Sequence, residues 1–196
     1  GEIALGNRPL SVGGRDVTVT VSGGTYQGSS IFFNSYENSA DHESLFHQTG
    51  GEIALSPYST YLDGGYYAVT NTPGRTRLKL EGGSFTAPFF CGASTGGHSA
   101  IEADGGTVKP TSAPAADGFI FGFDEAKLGA KGLTVEADYA VTIPQAFTDK
   151  EGEDGALILA GEATKTLTGS SSVAKIVAAK GRTALAAGSA CTSRLI

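Results

Sequence analysis

One eight-residue template recurs along this chain and constrains its fold more than any other feature. Residues 19–26 (Val-Thr-Val-Ser-Gly-Gly-Thr-Tyr) run apolar, polar, apolar, polar, Gly-Gly, hydroxyl, apolar. Residues 78–85 (Leu-Lys-Leu-Glu-Gly-Gly-Ser-Phe) and 101–108 (Ile-Glu-Ala-Asp-Gly-Gly-Thr-Val) fit it at every position. Looser copies surround Gly50-Gly51 and Gly64-Gly65, and residues 1–5 (Gly-Glu-Ile-Ala-Leu) recur as residues 51–55. The glycine pairs open at 23, 50, 64, 82 and 105, giving intervals of 27, 14, 18 and 23.

Alternation ahead of each pair sends Val19, Val21, Leu78 and Leu80 to one face of a strand and the polar residues to the other. The glycines permit a positive φ, so the chain can turn a corner without a Cβ clash. Second strands are expected after the corners, at Ile31-Phe32-Phe33, Phe89-Phe90 and Phe119-Ile120-Phe121. A unit of two or three short strands cannot bury its own apolar face, whereas stacked units close one continuous core. A β-sandwich whose hairpins turn at glycines is the alternative. The 14-residue interval is short for a whole unit, so Gly50-Gly51 and Gly64-Gly65 are either two corners of one unit or the same corner of adjacent units, one of them very short.

The repeated strand, Gly-Gly, Thr/Ser, aromatic pattern resembles the glycine-cornered coils of right-handed parallel β-helix (pectin-lyase-like) repeat domains in bacterial secreted and surface proteins. The similarity covers roughly residues 1–139 and is one of composition and period. It implies an all-β, single-stranded right-handed parallel β-helix, a solenoid. Residues 1–148 would form its coils, and residues 149–196 the Ala-rich C-terminal strands or cap of the same domain.

Composition agrees with one soluble domain. Charged residues make up 17% of the 196, too few for a coiled coil, and no apolar run approaches the ~20 residues that span a bilayer. A formal net charge of -6 would repel a phosphate backbone, so neither nucleic acid nor membrane insertion is expected. The chain has no methionine, so Gly1 is expected to follow a processing site or other boundary rather than a start codon. Cys91 and Cys191 have neither metal-ligand nor redox spacing; one long-range disulfide and two buried thiols both remain open.

Alanine rises from 7 in the first 100 residues to 19 in the last 96, and no aromatic follows Phe147. Residues 133–143 still alternate cleanly, which predicts strand, and residues 149–155 read as a charged turn. In residues 172–180, Val173, Ile176 and Val177 have helical spacing between serines and Gly181, which suits a short capping helix. A terminal strand fits as well, and either would cover the open end of a stack.

Three groups of residues bear on chemistry. Asp41-His42-Glu43 and His47 invite comparison with a zinc-protease helix, but histidines five apart diverge by about 140° on a helix and face opposite sides of a strand. A solvated loop is the expectation there, and His98 reads as a lone loop histidine. Asp63, Glu81 and Asp104 each precede a Gly-Gly corner. Aligned corners would set these carboxylates in a row at roughly 4.8 Å, to be solvated, neutralised by Lys79, Arg75 or Arg77, or bridged by Ca2+. The β-helix resemblance itself implies such outer-face calcium sites, although the fuller lyase motifs are missing.

Tyr58, Tyr61, Tyr66 and Tyr67 lie within ten residues, and outward tyrosines on a rigid sheet suit stacking on sugar rings. Adjacent Tyr66 and Tyr67 must point oppositely in a strand. The expected ligand-binding set is therefore Tyr58, Tyr61, Tyr66, Asp63, Glu81 and Asp104, with no catalytic or metal residue assigned and no required cofactor. These readings lead to a non-catalytic, extracellular or cell-surface module, structural or adhesive, with a glycan or host-surface protein as partner. The competing expectation is a lyase or hydrolase of acidic polysaccharide using Asp63, Glu81 and Asp104 with Arg75 or Arg77. A threonine face for ice or end-to-end assembly has only Thr25, Ser84 and Thr107 in its favour.

Overall fold

The computed structural model describes residues 1–4, 6, 8–35, 41–56, 66–70, 73–111, 117–186 and 194–195. The described residues are all-β, without a helix. The longest sheet, A, contains β1 (Glu2–Ala4), β4 (Thr25–Gly28), β7 (Glu52–Leu55), β10 (Ser84–Thr86) and β13 (Thr107–Lys109). It continues through β16 (Leu133–Glu136), β19 (Ala156–Ala160), β21 (Lys175–Ala178) and β23 (Arg194–Leu195). Sheet B holds β2 (Leu10–Gly14), β5 (Ile31–Ser35), β8 (Tyr66–Thr70), β11 (Phe90–Ser94) and β14 (Ile120–Phe121). Sheet C holds β3 (Thr18–Val21), β6 (Glu43–Gln48), β9 (Arg75–Leu80), β12 (His98–Ala103), β15 (Glu125–Leu128) and β18 (Thr148–Asp149). A three-stranded sheet D contains β17 (Val141–Ile143), β20 (Thr164–Leu167) and β22 (Arg182–Leu185).

From β1 to β16 the chain visits sheets A, B and C in turn; beyond β16 it passes through D, C and A and then alternates between D and A, and each return to a sheet adds a strand parallel to the previous one there. Sandwich hairpins would be antiparallel, whereas every strand pairing among the described residues is parallel. Register explains the core. In sheet A, Ile3, Tyr26, Ile53, Phe85, Val108, Val135 and Leu159 stand opposite one another in succession. In sheet B the row is Leu10, Ile31, Tyr66, Phe90 and Ile120; in sheet C it is Val19, Phe46, Leu78, Ile101 and Ala126. Most of these side chains are fully buried in one cluster. A one-residue slip in any strand would turn its apolar set to solvent, so the alternation itself holds the register.

The Gly-Gly pairs mark equivalent corners between sheets C and A. Val21 pairs with Gln48 before the corner and Thr25 with Glu52 after it, so Gly23-Gly24 lies over Gly50-Gly51. The same offset logic sets Gly82-Gly83 and Gly105-Gly106 in this column. Gly51 has φ +74°, and a Cβ there would come 2.7 Å from the Gly24 carbonyl oxygen. Glycine is required by both the backbone conformation and the close stacking of corners. Gly64-Gly65 lies outside the described residues, between β7 of sheet A and β8 of sheet B.

Three sequence expectations are corrected. Residues 43–48 form strand β6 rather than a loop, because Ser44, Phe46 and Gln48 alternate into the core against β3 and β9. Residues 133–143 form two strands, β16 and β17, which belong to different sheets. The capping helix is replaced by β21, where Leu157 on β19 and Leu195 on β23 flank Ile176 in register. Parallel pairing on both sides satisfies the backbone that a helix would have satisfied internally.

Candidate functional site

Two outward faces carry the side chains with chemical potential. On sheet C the alternation that buries Ser44, Phe46 and Gln48 leaves Glu43 and His47 outside, and β9 likewise presents Arg75, Arg77 and Lys79. Arg77 joins three strands: Nε donates to Glu43 Oε1 at 3.0 Å and Nη1 to Glu102 Oε2 at 2.8 Å. Burial opposes the Arg77 charge, but Glu43 and Glu102 outweigh it and raise the guanidinium further above its ordinary range. Lys150 reaches Glu153 at 3.0 Å and Glu102 at 3.4 Å, which raises its own pKa. At the corner, Glu81 is held between Lys79 Nζ and His47 Nε2, each 2.7 Å away. Hydrogen bonds from Lys79 and then His47 lower its carboxyl from 4.5 to about 2.

Other carboxylates serve a different purpose that the sequence did not disclose. Asp16 Oδ1 accepts the Glu43 amide at 3.1 Å, and Asp104 Oδ1 accepts the Lys131 amide at 2.9 Å, each across 27 residues. Asp124 Oδ2 accepts the Ser99 amide at 2.7 Å and Asp149 Oδ1 the Ala174 amide at 2.9 Å, each across 25 residues. Glu153 Oε2 accepts the Ala130 amide at 2.9 Å across 23 residues. Each bond staples one pass of the chain to the next. Asp124 also accepts Ser94 Oγ at 2.6 Å and Ser99 Oγ at 3.0 Å, so both hydroxyls are donors to a carboxylate. Burial opposes that charge, yet the serine hydrogen bonds prevail and lower the Asp124 pKa. No local pattern marks these staples, because donor and acceptor are a full circuit apart.

On sheet B the outward positions carry aromatics. Phe32 and Tyr67 are register partners, with ring centroids 4.8 Å apart and planes 6° from parallel. Phe89 packs at 85° against Tyr67 with centroids 5.2 Å apart, and then against Phe121 at 5.9 Å. Phe32, Tyr67 and Phe121 are half-buried and Phe89 is buried.

The expected site residues fare differently. Tyr58, Tyr61 and Asp63 lie outside the described residues. The assignment of Tyr66 to ligand binding is corrected: its ring is fully buried between Ile31 and Phe90, and Tyr67 takes the outward position. Glu81 and Asp104 do occupy equivalent corners, since Leu80 pairs with Ala103 and Ser84 with Thr107. They are nonetheless engaged separately, Glu81 by Lys79 and His47 and Asp104 by the Lys131 amide. Among the described residues, no group of three or more His, Cys, Asp or Glu side chains is placed to hold a metal ion. His42 and His47 diverge to Asp16 and Glu81 respectively, each at 2.7 Å. The hydroxyl row of sheet A runs Thr25, Glu52, Ser84, Thr107, Thr134, so a carboxylate interrupts it. Cys91 is half-buried on the outward side of β11, and Cys191 lies outside the described residues.

No helix among the described residues is long and apolar enough to cross a membrane. Neither a protein-family model, a curated protein nor a solved structure matches this chain.

Proposed function

We propose that this chain is a non-catalytic β-solenoid module, secreted or cell-surface, with a structural and adhesive role toward glycans or host-surface protein. Strands taken in turn by sheets A, B and C up to β16, always parallel and with corners in one column, support reading the fold as a single-stranded parallel β-helix. Its right hand follows from the handedness of parallel crossovers. The observation that carries the functional reading is the use of the acids: Asp16, Asp104, Asp124, Asp149 and Glu153 each staple neighbouring passes through a backbone amide. Glu81, lowered to about 2 by Lys79 and His47, remains a carboxylate at neutral pH and has no proton to donate as a general acid. A surface whose charges and rings are mated along the stack is rigid, and a rigid surface binds with little ordering cost.

Glycan-array binding and adhesion to immobilised host-surface protein, measured beside an eliminase assay on polygalacturonate with calcium, test the reading. Binding without turnover supports it. Release of unsaturated products, abolished by Asp104→Ala, would overturn it in favour of a polysaccharide lyase.

A further inference from the structure

Among the described residues, the aromatic stripe of sheet B is closed along most of its length and carries no ring on one face of its terminal Phe32. Parallel rings with centroids 4.8 Å apart cannot lie side by side on a sheet, because their edges would collide; they must overlap face to face. Phe32 therefore covers one face of Tyr67, and Phe89 packs against Tyr67 as well. Tyr67 is consumed by the ladder. Phe32 has a ring neighbour on the Tyr67 side alone among the described residues. On its other side the register partner is Ser11, and the next outward position of β2 is Gly13, opposite Asn34. Both Ser11 and Gly13 are exposed. The ladder thus ends in a step with an aromatic face as its wall and, one strand spacing (~4.8 Å) across, a hydroxyl on its floor.

We propose that this step is a subsite for a single pyranose ring of a glycan, a deepening that rests on the adhesive reading above. The C–H face of a pyranose packs on Phe32, while its hydroxyls meet Ser11 Oγ. A nucleobase would stack equally well, but its phosphates would meet a chain of net charge -6. A protein aromatic would fill the apolar wall and leave the Ser11 hydroxyl facing a group unable to hydrogen-bond with it.

Titration of the 196-residue chain with methyl β-D-glucopyranoside and methyl β-D-galactopyranoside, followed by protein-observed NMR, tests the subsite. At least one saccharide is expected to bind in the millimolar range and to shift Phe32 ring resonances ahead of those of Tyr67. Phe32→Ala should weaken that binding by about tenfold. Ser11→Tyr adds a further ring to the ladder beyond Phe32, so it should abolish binding while melting no lower than the parent. Binding that survives Ser11→Tyr, or no saccharide-induced shift at Phe32, overturns the subsite. Either result leaves the adhesive reading to be judged by its own array, which reports on the whole surface.

Discussion

His47 Nε2 lies 2.7 Å from Glu81 Oε2, although 34 residues separate them in the chain. The contact joins an outward residue of β6 to the corner after β9, and Lys79 closes the same carboxylate from its other oxygen. The fold therefore binds the ionised form of Glu81 more strongly than the unfolded chain does. Its pKa falls from 4.5 to about 2, so the stabilisation is complete above pH 4.5 and disappears as pH falls toward 2. Denaturant titrations between pH 7 and 2 should show Glu81→Gln with a shallower acid limb than the parent. An unchanged limb would mean that the pair contributes nothing. Because Glu81 is about one-third exposed, solvent screening keeps the effect small.

Gly51→Ala should destabilise the protein by about 2 kcal/mol or more, measured by chemical denaturation. The substitution incurs the left-handed penalty of ~1–2 kcal/mol and drives a Cβ against the Gly24 carbonyl. Gly152→Ala has the same sign of φ, +76°, but open space around it. The difference between the two variants isolates the cost of corner stacking from the cost of backbone strain.

Tyr66 carries a buried hydroxyl with no hydrogen-bond partner among the described residues, inside an otherwise apolar row. Tyr66→Phe should then be neutral or raise stability by up to about 1 kcal/mol, since it removes an unpaired polar atom. Tyr66→Ala should cost about 3–5 kcal/mol through the cavity left among Phe46, Phe85 and Phe90. A Tyr66→Phe loss above 1 kcal/mol would show that the hydroxyl is satisfied in solution.

Lys165 occupies an inward position of β20, fully buried, where its ammonium donates to the Gly161 carbonyl and to the Lys180 carbonyl at 2.8 Å. Burial lowers its pKa below the ordinary 10.5, against the weaker opposing influence of Glu162 and Asp138. The unfolded chain holds this proton more tightly, so stability should climb as pH rises through the lowered value toward 10.5. Lys165→Met should flatten that rise. Equal slopes for the two proteins across pH 7 to 10.5 would refute the assignment.

Much of this architecture could be read from local pattern alone. Period-two alternation names the strands around the glycine corners, and a glycine pair announces a turn whatever lies nearby. These signals are short-range, and the physics behind them, side-chain direction and positive φ, is short-range too. Alternation required Tyr66 and Tyr67 to point oppositely, but it could not say which pointed inward. Ile31 and Phe90, on strands 35 and 24 residues away, made that choice. Residues 172–180 likewise had both helical and strand patterns, and the flanking strands β19 and β23 decided between them.

The site was less legible than the fold, because its meaning lies in contacts that close only after a full circuit of the chain. Asp104 could be singled out as the residue before a corner. That its carboxylate would receive the amide of Lys131 depended on the path of the following pass. The end of the ring ladder at Phe32 among the described residues has the same origin: its next register partner is Ser11, and only the tertiary register brings those two side by side. Sequence determined the repeating unit through local sterics and alternation; the tertiary structure decided which side chains met across units, since parallel pairing joins residues 18 or more positions apart.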